Sequence, residues 1–108
     1  MAFDAGSAEL LREALGARAV VEKRMFGGIA FMLNGHMCCG VHKDGAMFRI
    51  GKGADAQALD LPGVRPMGFT GKPMAGYVEC SDAVLGVDVT RQTLIELALA
   101  FNKTLAPK

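Results

Sequence analysis

The hydrophobic pattern is clearest between residues 29 and 41. Two apolar runs, residues 29–33 and 36–41, flank the dipeptide Asn34-Gly35. Asn-Gly between apolar runs predicts a β-hairpin with a two-residue turn, because both central positions need φ > 0. If that hairpin is regular, Ile29, Phe31, Leu33, His36 and Cys38 share one face. Ala30, Met32, Met37, Cys39 and Val41 then share the other, and the two cysteines point to opposite sides. Neither face is polar, so helices are expected on one side and partial cover on the other.

The flanking pattern extends this hairpin to a sheet. Val20-Val21 opens a strand to about Phe26, and Gly27-Gly28 marks a turn or bulge. Lys43-Asp44-Gly45 turns into a strand over 46–50, which gives four strands in meander order. Short strands are expected at 64–67 and 77–80, joined by a turn-rich loop over 69–76. Helical spacing of Leu10, Leu11, Ala14 and Leu15 predicts a first helix, capped by Ser7 and stopped by Gly16. Residues 1–6 read as a loose tail, 54–59 as one or two helical turns, and 81–86 as a connection with room for one more. A last helix begins at a cap on Asp88 or Thr90 and runs to about Leu105. Its apolar set, Leu94, Ile95, Leu97, Ala98, Leu99, Ala100 and Phe101, is wider than one ordinary stripe. Deep burial or a subunit contact would explain that width. The predicted fold class is α+β: two layers, with an antiparallel β-meander flanked by N- and C-terminal helices.

Composition narrows the options. A chain of 108 residues that is 51% hydrophobic and 21% charged supports one folded domain, residues 1–108. No apolar run approaches the ~18–20 residues that span a membrane. The N-terminus lacks a basic and apolar leader pattern, so a cytoplasmic location is expected. Three cysteines, two of them adjacent, make no disulfide framework. The net charge is +1, and residues 18–72 carry eight basic and four acidic side chains. Lys23, Arg24, Arg49, Lys52, Arg65 and Lys72 could gather beside Phe26, Phe48 or Phe69 to bind nucleic acid. So small a charge makes strong direct binding the lesser expectation.

Chemistry-bearing groups are few. In a regular strand His36, Cys38 and His42 project from one face, and a thiolate with two imidazoles suits zinc. With Cys39 they make a candidate metal or small-ligand group, and His42 could serve a cysteine nucleophile as base. The ligand spacings of known zinc sites are missing, so small buried cysteines are the preferred reading and no cofactor is expected. Gly27-Gly28 and Gly51-Lys52-Gly53 match no phosphate-loop pattern. The methionines at 25, 32, 37, 47, 67 and 74 lie in or near the sheet and lend support to a partner surface.

The runs KRMFGGIAFMLNGHMCCGV, MFRIG and RPMGFTGKPMAGYVEC together resemble the N-terminal domain of the TfoX/Sxy family of bacterial competence regulators. The resemblance covers nearly the whole chain. It implies a two-layer α/β structure similar to secretion chaperones, and a regulatory, non-catalytic role through a protein partner such as a transcription regulator. The chain ends after the last helix of such a domain, so the second, helical domain of full-length regulators is not expected in it. A homodimer is a further expectation, through the long apolar helix or the second sheet face. The expected recognition surface is Lys23, Arg24, Phe26 and Gly28 at the start of the hairpin, beside Arg65, Phe69, Lys72 and Pro73.

Overall fold

The computed structural model describes residues 3–25, 27–69 and 72–107. Its elements in chain order are α1 (Ala5–Leu15), β1 (Val20–Met25), β2 (Gly28–Leu33), β3 (His36–His42), β4 (Gly45–Arg49), α2 (Asp55–Leu59), β5 (Arg65–Phe69), β6 (Lys72–Cys80), α3 (Asp82–Leu85) and α4 (Asp88–Lys103). The α+β expectation holds: one antiparallel sheet of six strands is flanked by helices.

The sheet order is β1-β2-β3-β4-β6-β5. The first four strands form the expected meander. Asn34 (φ 55°) and Gly35 (φ 83°) make the tight turn between β2 and β3. The chain then passes through α2 to the far edge, and β6 returns between β5 and β4. The turn-rich loop expected over 69–76 is instead mostly strand. β6 starts at Lys72 and forms a hairpin with β5, where Gly68 faces Pro73. Proline is tolerated there because β4 pairs only with Tyr77 to Cys80, so the other side of β6 carries no ladder at Pro73.

Helix boundaries also depart from expectation. Asp4, not Ser7, caps α1 by accepting from the Gly6 N–H at 3.0 Å. The helix therefore begins inside the segment expected to be a tail. Ser7 is buried and donates to Asp82 Oδ1 at 2.5 Å, which ties α1 to α3. Gly16 ends α1 with φ 61°, as expected. The predicted turn within 81–86 is α3, capped by Ser81 accepting from the Val84 N–H. α4 begins at Asp88 after Val87, without a side-chain cap.

The core lies between the sheet and the helices. Ladder pairing places Ile29, Phe31, Cys39, Val41, Ala46, Phe48, Val78 and Cys80 on one face of the sheet. All are buried and belong to one cluster with Leu11, Leu15, Leu85, Leu94, Ile95 and Ala98 from the helices. Burial of such side chains is the main stabilising term, at about 25 cal/mol per Å² of apolar surface. The wide apolar set of α4 is largely used here. Leu94, Ile95 and Ala98 are buried, Leu97, Leu99 and Phe101 are half-buried, and Ala100 is exposed. Among the described residues no helix is long and apolar enough to cross a membrane.

Candidate functional site

The opposite face of the sheet carries no helix in this cluster and is lined by methionine. Alternation along the ladders puts Met25, Met32, Met37 and Met47 on it. Met32 faces Met37 directly across β2 and β3. Both are half-buried, Met47 and Met67 are buried, and Val21 at the edge is 59% exposed. Met47 owes its burial to Gly40, its cross-strand partner. A β-carbon on Gly40 would stand 2.8 Å from the Met47 methyl, so the thioether lies where glycine leaves room.

One row of residues crosses all six strands on this face: Lys23, Ala30, Gly40, Met47, Glu79 and Arg65. Small residues form a shallow floor in its middle, and charge sits at its ends. Glu79 is the acidic centre. Its Oε1 accepts from Arg65 Nε at 3.1 Å, and its Oε2 stands 3.2 Å from His42 Nε2. His42 Nδ1 accepts from the Asp44 N–H at 3.0 Å, which leaves Nε2 as the protonated nitrogen turned toward Glu79. That approach is one of charge and dipole rather than an aligned hydrogen bond, because Nε2 is buried without a well-directed acceptor. Neither ring nitrogen is presented outward. Sequence reasoning missed Glu79, whose signal was a lone carboxylate in the otherwise apolar stretch 77–80.

The expected recognition surface is not one patch. Lys23 and Arg24 lie on the edge strand β1, and Arg65 lies on β5 at the opposite edge. The Phe69–Lys72 pair lies toward the opposite end of the sheet from Gly28, because Gly28 is level with His42 and Gly45, beside the C-terminal end of β6, whereas Lys72 begins that strand. Lys23 shares the methionine face, whereas Arg24 shares the face of Ile29. Gly28 is buried and has no side chain to offer. Phe26 lies outside the described residues. The backbones of Phe69, Lys72 and Pro73 are in the β5–β6 hairpin, and their side chains lie outside the described ones. The basic set is also divided. Arg49 stands over the rings of Tyr77 and Phe101, 5.8 and 5.4 Å from their centroids, beside Lys52 in a surface groove of about 270 Å³. That groove is lined by β4 and β6 and is far from Lys23 and Arg24 on β1.

The candidate metal group is dispersed. The ladder steps between Phe31 and Met32, so Phe31 faces Cys39 and Met32 faces Met37. Cys38 is the extra residue of a β-bulge, and the regular alternation expected through β3 fails at that point. His36 lies on the helix side, with Nε2 2.7 Å from the Ala106 carbonyl. Cys38 and Cys39 are both buried in the core, and His42 is on the methionine face. Among the described residues no group of three His, Cys, Asp or Glu side chains is placed to hold a metal ion.

The model of the TfoX N-terminal domain matches residues 9–102. The chain belongs to the TfoX N-terminal domain family. No curated protein and no solved structure gives a match. The matched span runs from α1 to α4 and takes in all six strands, so the family pattern and the fold coincide.

Proposed function

We propose that this TfoX N-terminal-type chain is a non-catalytic regulatory module of the cytoplasm that docks a protein partner, a transcription regulator, on the methionine face of its sheet. The observation that carries the reading is the face itself, on which no helix of the described residues packs, with Met32 and Met37 half-exposed across from each other. Flexible thioether side chains suit adaptable protein contacts. Lys23 and Arg65 rim the same face at its two edges. The family supports a regulatory role in outline. The engagement of both His42 nitrogens, Nδ1 by the Asp44 N–H and Nε2 turned to Glu79, supports a non-catalytic one, since a general base needs a nitrogen directed at substrate. The division of the basic residues favours protein over nucleic acid as the partner. A homodimer formed through this face is the competing occupancy.

The test is a pulldown from native cytoplasm with the wild-type chain and with Met32→Asp/Met37→Asp, each checked for unchanged circular dichroism. A transcription regulator or polymerase subunit retained by the wild type should bind the variant at least about tenfold more weakly, as expected when a central apolar contact is lost. Equal retention by both would remove the face from the reading. Light scattering over micromolar concentrations separates the dimer, because a concentration-dependent mass abolished by the same variant would assign the face to a second copy.

A further inference from the structure

Adjacent residues of a regular strand project to opposite faces. Cys38 and Cys39 do not, because the bulge between Phe31/Met32 and β3 inserts Cys38 as an extra residue. Both side chains are buried in the same core cluster, 1% and 0% exposed. The bulge puts both thiols on the helix side of β3. The Cys39 thiol, helped by the charge of Arg18, draws Cys38 below the ordinary thiol range against the cost of its burial. The same contact, with burial, pushes Cys39 well up. Cys38 is thus the more acidic member of a vicinal pair held on one side of the strand. Burial pushes the thiol of the third cysteine, Cys80, up to about 11.

The pair is close to solvent-filled space. Arg18 lines a groove of about 480 Å³ between α1 and α4 and a second cavity of about 240 Å³ against Phe31. Phe31 is the cross-strand partner of Cys39. The second cavity thus shares Phe31 with the ladder pair of Cys39 and Arg18 with the surroundings of Cys38, while both thiols are themselves buried, so a peroxide reaches them only as the side chains over them move aside.

We propose that Cys38 and Cys39 form a redox-active vicinal dithiol that a peroxide converts to an intramolecular disulfide. The Cys38 thiolate attacks one peroxide oxygen and the O–O bond breaks. Cys38 becomes a sulfenic acid, and the departing hydroxide takes up the proton that Cys38 released, forming water. The Cys39 sulfur then attacks the Cys38 sulfur. The S–S bond forms, the S–O bond breaks, and hydroxide leaves with the Cys39 proton as a second water. Two electrons pass from the sulfurs to the peroxide. Neighbouring Cα atoms across a trans peptide are about 3.8 Å apart, below the usual disulfide span of about 4.4–6.8 Å. The bridge is consequently strained and readily reduced, which is the character of a reversible rather than a structural disulfide. This inference does not depend on the docking reading.

The test is differential alkylation of the full wild-type chain after brief treatment with hydrogen peroxide. Free thiols are blocked with iodoacetamide in denaturant. The protein is then reduced, labelled with N-ethylmaleimide and digested with trypsin. Methionine oxidation does not enter the readout. The expected result is the maleimide label on both cysteines of peptide 25–43, with Cys80 carrying the iodoacetamide label. Iodoacetamide on all three, maleimide on Cys80 to the same extent, or maleimide on Cys38 alone would each overturn the proposal. In Cys39→Ala, whose fold is checked by circular dichroism, the Cys38 sulfenic acid has no resolving thiol and should be trapped by dimedone in the monomer, an adduct absent from the wild type; no adduct in the variant, or an equal one in both, would overturn the proposal. Should that variant fail to fold, the wild-type labelling pattern decides by itself.

Discussion

Gly28 shows how a residue expected to face a partner serves packing instead. A β-carbon there would overlap the Val41 carbonyl and come within 3.0 Å of the His42 Cα. These are backbone atoms of the neighbouring strand and cannot rotate away. Gly28→Ala must therefore part β2 from β3 and should cost about 1–3 kcal/mol, read as a lower urea midpoint with an unchanged slope. An unchanged midpoint would mean that the strands separate without cost. Cys80 supplies a pH-dependent counterpart. Burial, opposed by the charge of Arg65, raises its thiol pKa to about 11. A raised folded pKa means that the unfolded chain ionises first. The stabilisation is complete below the unfolded value near 9 and is lost as the pH climbs through about 11. Thermal unfolding should accordingly fall faster between those values in the wild type than in Cys80→Ala. Parallel curves would show that Cys80 does not contribute.

At the scale of elements, the Asn34-Gly35 turn was legible because the chemistry of that dipeptide is local. What holds the turn to the rest of the protein was not. Asn102 on α4 is buried, donates to the Leu33 carbonyl at 3.1 Å and accepts from Asn34 Nδ2 at 3.4 Å. In sequence it is one polar residue at the end of a long apolar set, separated from its partners by 68 and 69 positions. Asn102→Ala should cost about 1–3 kcal/mol, because buried polar groups lose their partner. Hydrogen exchange should show faster opening of the 33–36 turn than of β4. Uniform acceleration would make the loss global rather than local. The bulge was illegible for a related reason. Cys38 and Cys39 both fit an apolar strand, and only the pairing with β2 reveals that the count is one residue too long on β3. The β5–β6 hairpin was hidden by its own glycine and proline, which read as loop wherever one side of a strand is left unpaired.

For the whole molecule, the six strands close no barrel, so two edges remain. Strand order was legible only through β4. The insertion of β6 between β4 and β5 is a long-range choice, and it alone assembles His42, Glu79 and Arg65. It also sets Lys23 and Arg65 at opposite edges, where reading along the chain placed them together. The free edge at β1 carries Glu22, Lys23 and Arg24 in succession, all exposed. An exposed edge strand with unpaired N–H and C=O groups can template pairing with another chain, and charged side chains oppose it. The ion pair of Glu22 with Arg12, 2.6 Å long, is about 40% exposed on both sides and contributes no more than ~1 kcal/mol. The charges of β1 therefore matter more for what they prevent than for what they hold. Replacing both Lys23 and Arg24 with threonine keeps strand propensity and removes that protection. The variant should gain mass with concentration in light scattering, with new amide protection confined to β1. The Met32→Asp/Met37→Asp variant should leave such association intact, because edge pairing and face docking use different surfaces of one sheet. A Lys23→Thr/Arg24→Thr protein whose mass and β1 exchange match the wild type at every concentration would show that backbone twist, not charge, keeps this edge apart.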